Sequence, residues 1–301
     1  MGDKLTCNGT KLRKMLDAGE TILMPNVWDG FSAKVVESMG FSAALISGAG
    51  VSESRWGLPD LGLMSFKENL EGAKVIADIT TIPLIADADT GYGNAMNVYR
   101  TVQEFEKVGV AGIMIEDQVW PKRCGHIKGK EVIPANEMVE KIHAAVDAKK
   151  RKDFIIKART DAAGPIGIAE AIKRANMYLK AGADLVLADA LLSEKDIIKF
   201  VKNTNGPVAV NMGLGIRSRP TTPLLTPKKL HQIGVSVIDY GRITSTAAIM
   251  GMKLALKELQ KSVNMDNVEE HDELLVSFSE LQDLIGYKKW MDIDDKYKVH
   301  E

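Results

Sequence analysis

Two carboxylates, Asp87 and Asp89, stand one residue apart in D-A-D-T-G-Y-G, at the end of an apolar run that reads as a β-strand. The strand period of two turns both toward one face. Glu116, closing the next such run in I-E-D-Q-V, brings a third acid to the same place. Three carboxylates held together repel one another unless they are protonated or share a cation. An all-oxygen set suits Mg2+, and Mn2+ or Fe2+ accept similar donors. Asp87, Asp89 and Glu116 are therefore the expected metal ligands, against the plainer alternative of carboxylates hydrogen-bonded to loop amides.

A second constellation follows within a few residues, in Lys122-Arg123-Cys124-Gly125-His126. Cations and an imidazole around one thiol lower its pKa and suit it to exchange a proton with an anionic intermediate. Gly125 and His126 can donate hydrogen bonds to a carboxylate. Upstream, Ser47-Gly48-Ala49-Gly50 offers a hydroxyl and small residues whose amides an anion can approach closely. Arg159, in A-R-T-D, can grip a carboxylate bidentately or pair with Asp161 or Asp189.

Something must bring these residues together. Eight short apolar runs recur along the chain: Ile22 to Trp28, Ala43 to Ser47, Ile82 to Asp89, Ala111 to Asp117, Phe154 to Asp161, Asp184 to Ala190, Pro207 to Met212 and Val235 to Tyr240. Amphipathic segments such as Ala95 to Val108 and Ile168 to Ala181 separate them, each ending near a glycine. Strands alternating with helices argue for a parallel sheet, and eight of them argue for closure into an α/β barrel, the (β/α)8 TIM fold. An open doubly wound sheet would want a glycine-rich phosphate turn after its first strand, and none follows Trp28. Polar residues end nearly every run: Asn26, Ser47, Asp87 with Asp89, Glu116 with Asp117, Arg159, Asp189, Asn211 and Tyr240. In a barrel these meet on the face where barrel enzymes place their sites. The 301 residues read as one domain with a helical extension from about 260 to 301. Within it, Val268 to Ile285 is expected to be a helix whose apolar Leu274, Leu275, Phe278, Leu281 and Leu284 need a partner.

Composition excludes several classes. With 39 basic and 40 acidic residues, net charge -1, the chain has no electrostatic footprint for nucleic acid. No apolar stretch reaches the ~18 residues of a membrane span, and the expectation is a cytoplasmic protein acting on a small molecule. The two cysteines, Cys7 and Cys124, are no disulfide framework and suit a reducing compartment.

Taken together, S-G-A-G at Ser47, G-L-P-D at Gly57 to Asp60, the Asp87 and Ile115 motifs, K-R-C-G-H, A-R-T-D and Asn211 resemble the isocitrate lyase and phosphoenolpyruvate mutase superfamily, from about Asn26 to Leu259. K-R-C-G-H is similar to the loop of its lyase branch, which includes methylisocitrate lyase, 2,3-dimethylmalate lyase and oxaloacetate hydrolase. The resemblance implies a Mg2+-containing barrel and a homotetramer that exchanges its last barrel helix between subunits. It also implies roles. Asp87 would hold the metal directly, Asp89 and Glu116 directly or through water, with Asp60 in the same network. Ser47, Gly48 and Ala49 would hold the keto-acid end, and Gly125, His126, Arg159, Asp189 and Asn211 the substrate carboxylates. Cys124 would be the general acid, so that Cys124, His126, Arg159 and Asp60 form the expected catalytic group.

The implied reaction is cleavage of a 2-hydroxy dicarboxylate, such as 2,3-dimethylmalate, to a keto acid such as pyruvate and a carboxylic acid such as propionate. Methylisocitrate cleavage, oxaloacetate hydrolysis, phosphonate chemistry and a silent carboxylate-binding protein are the alternatives. Three departures bear on the choice. Leu45 stands where the methylisocitrate lyases carry a tyrosine, leaving Tyr240 or a water on the metal as base. Asp189 replaces a glutamate. The stretch after Asn211 lacks the hydroxyl residue that tricarboxylate lyases often place soon after that asparagine and adds Arg217 and Arg219, with Arg242 a further cation that could hold a third carboxylate.

Overall fold

The structure, a computed structural model, describes residues 2–125, 127, 129–218, 222–266 and 270–299, with side chains from Asn8 onward. Eight strands close in sequence order into one parallel barrel. They are β1 Ile22–Val27, β2 Ala44–Ile46, β3 Leu84–Asp87, β4 Gly112–Glu116, β5 Ile155–Thr160, β6 Leu185–Ala188, β7 Val208–Asn211 and β8 Val237–Tyr240. Each expected strand is present, shorter than its apolar run by at most two residues at either end. The helices are α1 Gly2–Asp17, α2 Gly30–Ser38, α3 Gly48–Trp56, α4 Phe66–Ile79, α5 Ala95–Lys107, α6 Ala135–Ala148, α7 Ile168–Lys180, α8 Glu194–Lys202, α9 Pro227–Ile233, α10 Ile243–Ser262, α11 Phe278–Ile285 and α12 Tyr287–Tyr297.

Local chemistry explains these elements. In α5 the buried Val98, Thr101, Val102 and Phe105 recur at helical spacing, and Asn94 caps the start by accepting from the amides of Met96 and Asn97. Gly109, at φ +96°, follows its end in a conformation that costs other residues.

Parity along each strand sorts the barrel into two layers. Ile22, Met24, Leu45, Ile85, Met114, Ile155, Leu185, Leu187, Ala209 and Val237 point inward, joined by Leu12 of α1. The alternate residues, among them Val27, Ile46, Ala86, Ile113, Ile156, Val186 and Ile238, pack outward against the helices. Continuing the inward series toward the strand C-termini reaches Asn26, Ser47, Asp87, Glu116, Arg159, Asp189, Asn211 and Asp239. Two of the expected strand-end residues are one step out of phase. Tyr240 belongs to the outer apolar layer and is out of phase with the residues that line the cavity, and burial there pushes its hydroxyl pKa up. Asp117 also faces outward, accepting hydrogen bonds from Thr160 Oγ1 at 2.8 Å, Tyr178 OH at 2.6 Å and Arg174 Nη1 at 3.0 Å. It braces the ends of β4 and β5 against α7.

The described residues divide into two compact units, one up to Ser245 and the other from Thr246. In the second, the expected helix from Val268 to Ile285 is shorter: α11 begins at Phe278, and Val268 lies outside the described residues. Ser277 accepts from the Glu280 amide while Glu280 reaches back to the Ser277 amide, so the reciprocal cap fixes the start there. Among the described residues no helix is long and apolar enough to cross a membrane.

Candidate active site

At the strand C-termini a small cavity is lined by Ser47, Ala49, Asp60, Asp87, Cys124, Gly125, Arg159, Asp189, Asn211, Asp239 and Arg242, over an apolar floor of Leu45, Met114 and Leu187. Besides Asp87 and Arg159, seven of the expected site residues line it: Ser47, Ala49, Asp60, Cys124, Gly125, Asp189 and Asn211. Ser47 caps α3, its Oγ accepting from the Gly50 amide at 3.1 Å and donating to the Gly241 carbonyl at 3.3 Å. Gly48 and Ala49 thus form the first turn of α3, whose amides have no acceptor within the helix and carry its partial positive charge. A side chain on Gly48 would stand 3.1 Å from Asp87 Oδ2, so glycine lets this turn lie against the acid.

The Cys124 loop covers the cavity and is tied down at several points. Gln118 and Arg123 exchange side-chain to backbone hydrogen bonds, both at 2.9 Å. The Cys124 amide donates to the Asp60 carbonyl at 3.2 Å. Lys130, buried and unanticipated in the sequence, donates to the Gly125 carbonyl at 2.8 Å and to Asp161 at 2.6 Å. Gly125 lies so close to Asp189 and Arg159 that only a residue without a side chain fits. His126, expected to contact substrate, lies outside the described residues, as does Arg219.

The cations do not sit as their sequence positions suggested. Lys122 forms an ion pair with Asp60 and stands 2.9 Å from Asp89. A cation the sequence position did not suggest, Arg242, donates from Nη2 to Cys124 Sγ at 3.8 Å and pairs through Nη1 with Glu53. Arg242 comes from the turn after β8, 118 residues away in sequence. Arg217 is exposed and does not line the cavity.

Arg159 is enclosed by carboxylates, with Asp161 at 2.9 Å, Asp189 at 3.0 Å and Glu116 at 3.2 Å. Burial opposes its charge, but Asp161, Asp189 and Glu116 more than offset this and hold the guanidinium protonated. Asn211 Nδ2 donates to Asp189 at 3.4 Å. Asp189 therefore anchors two donors that line the cavity.

The acids expected to bind metal are brought to one side of the cavity, with Asp87 on its wall and Asp89 and Glu116 outside the lining set. The chain turns sharply at Asp89, φ +46°, and the Asp89 amide donates to Asp87 Oδ1 at 3.1 Å. Burial raises the Asp89 pKa to about 6, Lys122 opposing and Asp87 and Asp60 adding to the rise. Burial likewise pushes Glu116 well up against the pull of Arg159, and its Oε1 is buried without a hydrogen-bond partner among the described residues. Among those residues no three His, Cys, Asp or Glu side chains form a ready-made metal cage. The donor set nonetheless fits a hard cation held by one carboxylate and reached by the others through water, the habit of Mg2+. Crowded buried acids with an unsatisfied oxygen are the setting such a charge relieves.

Sequence comparison places these features among known proteins. A family model described as phosphoenolpyruvate phosphomutase matches residues 12–260. The chain is 39% identical over 290 residues to the 2,3-dimethylmalate lyase of Eubacterium barkeri, covering 95% of this chain and 97% of that protein. It is 37% identical over 280 residues to the 2-methylisocitrate lyase of Aeropyrum pernix, covering 93% and 87%. A solved structure of phosphonopyruvate hydrolase in complex with oxalate and Mg++ superposes with a TM-score of 0.83 at 29% identity, covering 96% of this chain and 98% of that one.

Proposed function

Because the chain belongs to the phosphoenolpyruvate mutase and isocitrate lyase superfamily, we propose that it is a Mg2+-dependent carbon-carbon lyase that cleaves a 2-hydroxy dicarboxylate of the 2,3-dimethylmalate kind into pyruvate and propionate. The observation that carries this reading is one cavity with a thiol on its lid, Asp87 on its wall, and Arg159 and Asn211 opposite. Asp87, with Asp89 and Glu116 behind it, would hold Mg2+, which would supply Lewis-acid polarisation of the hydroxy-acid oxygens.

The rest falls to the chain's own groups. The first turn of α3 binds the carboxylate of the nascent keto acid, its amides and dipole favouring negative charge. Arg159, Asn211 and the Gly125 backbone bind the carboxylate of the leaving acid, where charge develops as the bond breaks. Cys124 protonates that carbon, and Arg242 stabilises the thiolate that remains. Lys130 and Lys122 hold the lid closed, so that water does not quench the carbanion.

The size of the substrate follows from the cations. Arg242 faces Glu53 and Arg159 faces three carboxylates, so both cavity-lining arginines already carry partners. A third substrate carboxylate would have to compete for them, whereas Leu45, Met114 and Leu187 suit methyl groups. This favours a dimethylmalate-like acid over methylisocitrate.

The test is a coupled keto-acid release assay across dimethylmalate, methylisocitrate and phosphonopyruvate, with oxalate release measured for oxaloacetate, with Mg2+ and with chelator, on wild type and Asp87→Ala. The expected result is release from the dicarboxylate hydroxy acid only, abolished by chelator and by Asp87→Ala while thermal unfolding is unchanged. Full activity of Asp87→Ala in chelator contradicts the metal role.

We further propose a homotetramer in which the segment from α10 onward packs on another subunit. Met250, Met252, Leu256 and Leu259 of α10, Phe278 of α11 and Trp290 of α12 are all exposed. Truncation after Ser262 is expected to lower the number of subunits per particle measured by light scattering; a full-length chain that runs as a monomer removes this proposal.

A further inference from the structure

The cavity floor holds a buried ion pair that the mechanism above leaves unused. Asp239 is the inward residue of β8, two past Val237, paired in register with Asn211 on β7 and Met24 on β1. It is 2% exposed, yet it lines the cavity. Its Oδ2 is bound by the ammonium of Lys157, an inward residue of β5 with no exposure at all. Its Oδ1 is buried with no hydrogen-bond partner among the described residues.

Stability does not explain such a pair. Taking two charges out of water costs several kcal/mol per ion, and well-packed apolar residues in their place are often neutral or stabilising. A carboxylate oxygen left without a donor costs about 1–3 kcal/mol or more. The floor around the pair is apolar, with Leu45, Met114 and Leu187, and offers it no donor from below. An oxygen kept bare at the base of a substrate cavity is placed for a donor that arrives with the substrate.

We propose that Asp239 accepts the proton of the substrate hydroxyl, with Lys157 as the positioning residue that orients it. Both assignments rest on the lyase reading. The other carboxylates of the lining are already engaged: Asp60 by Lys122, Asp189 by Arg159 and Asn211, and Asp87 by the Asp89 amide and the metal role. Leu45 has no group that could take a proton, and Tyr240 faces the outer layer. The charged groups facing Asp239 are Lys157 and Arg159 from β5 and Asp189 from β6. Burial raises the Asp239 pKa against the pull of Lys157, which makes it a stronger base than an exposed aspartate.

The step balances. Oδ1 takes the hydroxyl proton, and the oxygen's electron pair forms the carbonyl of the keto acid as the adjacent carbon-carbon bond breaks. The bonding pair moves onto the leaving carbon, which receives the proton of Cys124. One turnover leaves a proton on Asp239 and a thiolate at Cys124, and both reset through water once the loop opens and products leave.

The experiment uses the full-length protein with Mg2+ and the hydroxy acid that releases keto acid. Asp239→Asn keeps the shape but cannot accept the proton, and its kcat is expected to fall ~100-fold or more with KM within about threefold of wild type. Asp239→Ala is expected to regain at least about tenfold of its lost rate when formate is added, as a small carboxylate takes the vacated place. A merely structural role would not give formate rescue. If either single variant fails to fold, Lys157→Met combined with Asp239→Leu removes both charges; it is expected to melt no lower than wild type and to lose kcat to the same extent. A kcat within about threefold of wild type in Asp239→Asn or in the double variant overturns the proposal, as does failure of formate to rescue a folded Asp239→Ala. A wild type silent on every hydroxy acid removes the lyase reading and this proposal with it. An active wild type with an equally active Asp239→Asn removes the proposal alone.

Discussion

Gly125→Ala is expected to leave a folded barrel whose turnover is reduced by about 100-fold or more. A methyl at this position would lie 1.5 Å from Asp189 Oδ2 and 2.6 Å from Arg159 Nη2, well inside contact distance. Neither neighbour is the loose end of a flexible chain. Asp189 is held by Arg159 and approached by Asn211, and Arg159 is held in turn by Asp161 and Glu116. The backbone cannot slide either, because Lys130 grips the Gly125 carbonyl and Asp60 the Cys124 amide. The loop must therefore lift, carrying the thiol off its target and admitting water. Little stability should be lost, since the loop lies outside both apolar layers. Steady-state kinetics and thermal unfolding measure the two effects, and near-normal kcat would mean that closure of this loop is not part of turnover.

Cys124→Ser carries the second large effect. Serine keeps the size and the hydrogen bonding but has a far less acidic proton, so loss of a general acid should lower kcat by about 100-fold or more while KM changes little. Binding should persist because Arg159, Asn211 and the α3 turn are untouched. Alkylation of the wild type should inactivate it, and a bound pair of products should protect it by keeping the loop down. Turnover of Cys124→Ser near that of wild type would show that a different group delivers the proton.

The barrel was legible in the chain because the helix, glycine, strand repeat carries its period openly, and all eight apolar runs became strands. Which polar residues share the cavity was less legible, because it depends on parity and not only on position near a strand end. Tyr240 and Asp117 are polar and correctly placed along their strands, yet each points outward, while their inward neighbours Asp239 and Glu116 point into the barrel. Lys157 has a local signal: in K-A-R it alternates with Arg159, and a second charge on the same inward face of a buried strand requires a partner. That partner lies 82 residues away and nothing local marks it.

The thiol shows the same limit differently. Sequence neighbours put Lys122 and Arg123 beside Cys124, but proximity along a loop does not decide what each side chain pairs with. Lys122 serves the acids, while Arg242 arrives from the far side of the barrel. The C-terminal helix began ten residues later than its apolar content suggested, because Leu274 and Leu275 precede the cap that Ser277 and Glu280 form.

The central claim is that this cavity breaks a carbon-carbon bond and returns a proton to the leaving carbon. Turnover in D2O, followed by NMR and mass spectrometry, tests it most directly. Wild type with Mg2+ and the hydroxy acid that releases keto acid is expected to give one keto acid and one carboxylic acid per substrate consumed. That acid should carry a single deuterium on the carbon next to its carboxylate, delivered through the exchangeable thiol of Cys124. Substrate loss without keto acid, or an acid with no deuterium on that carbon, would contradict the account.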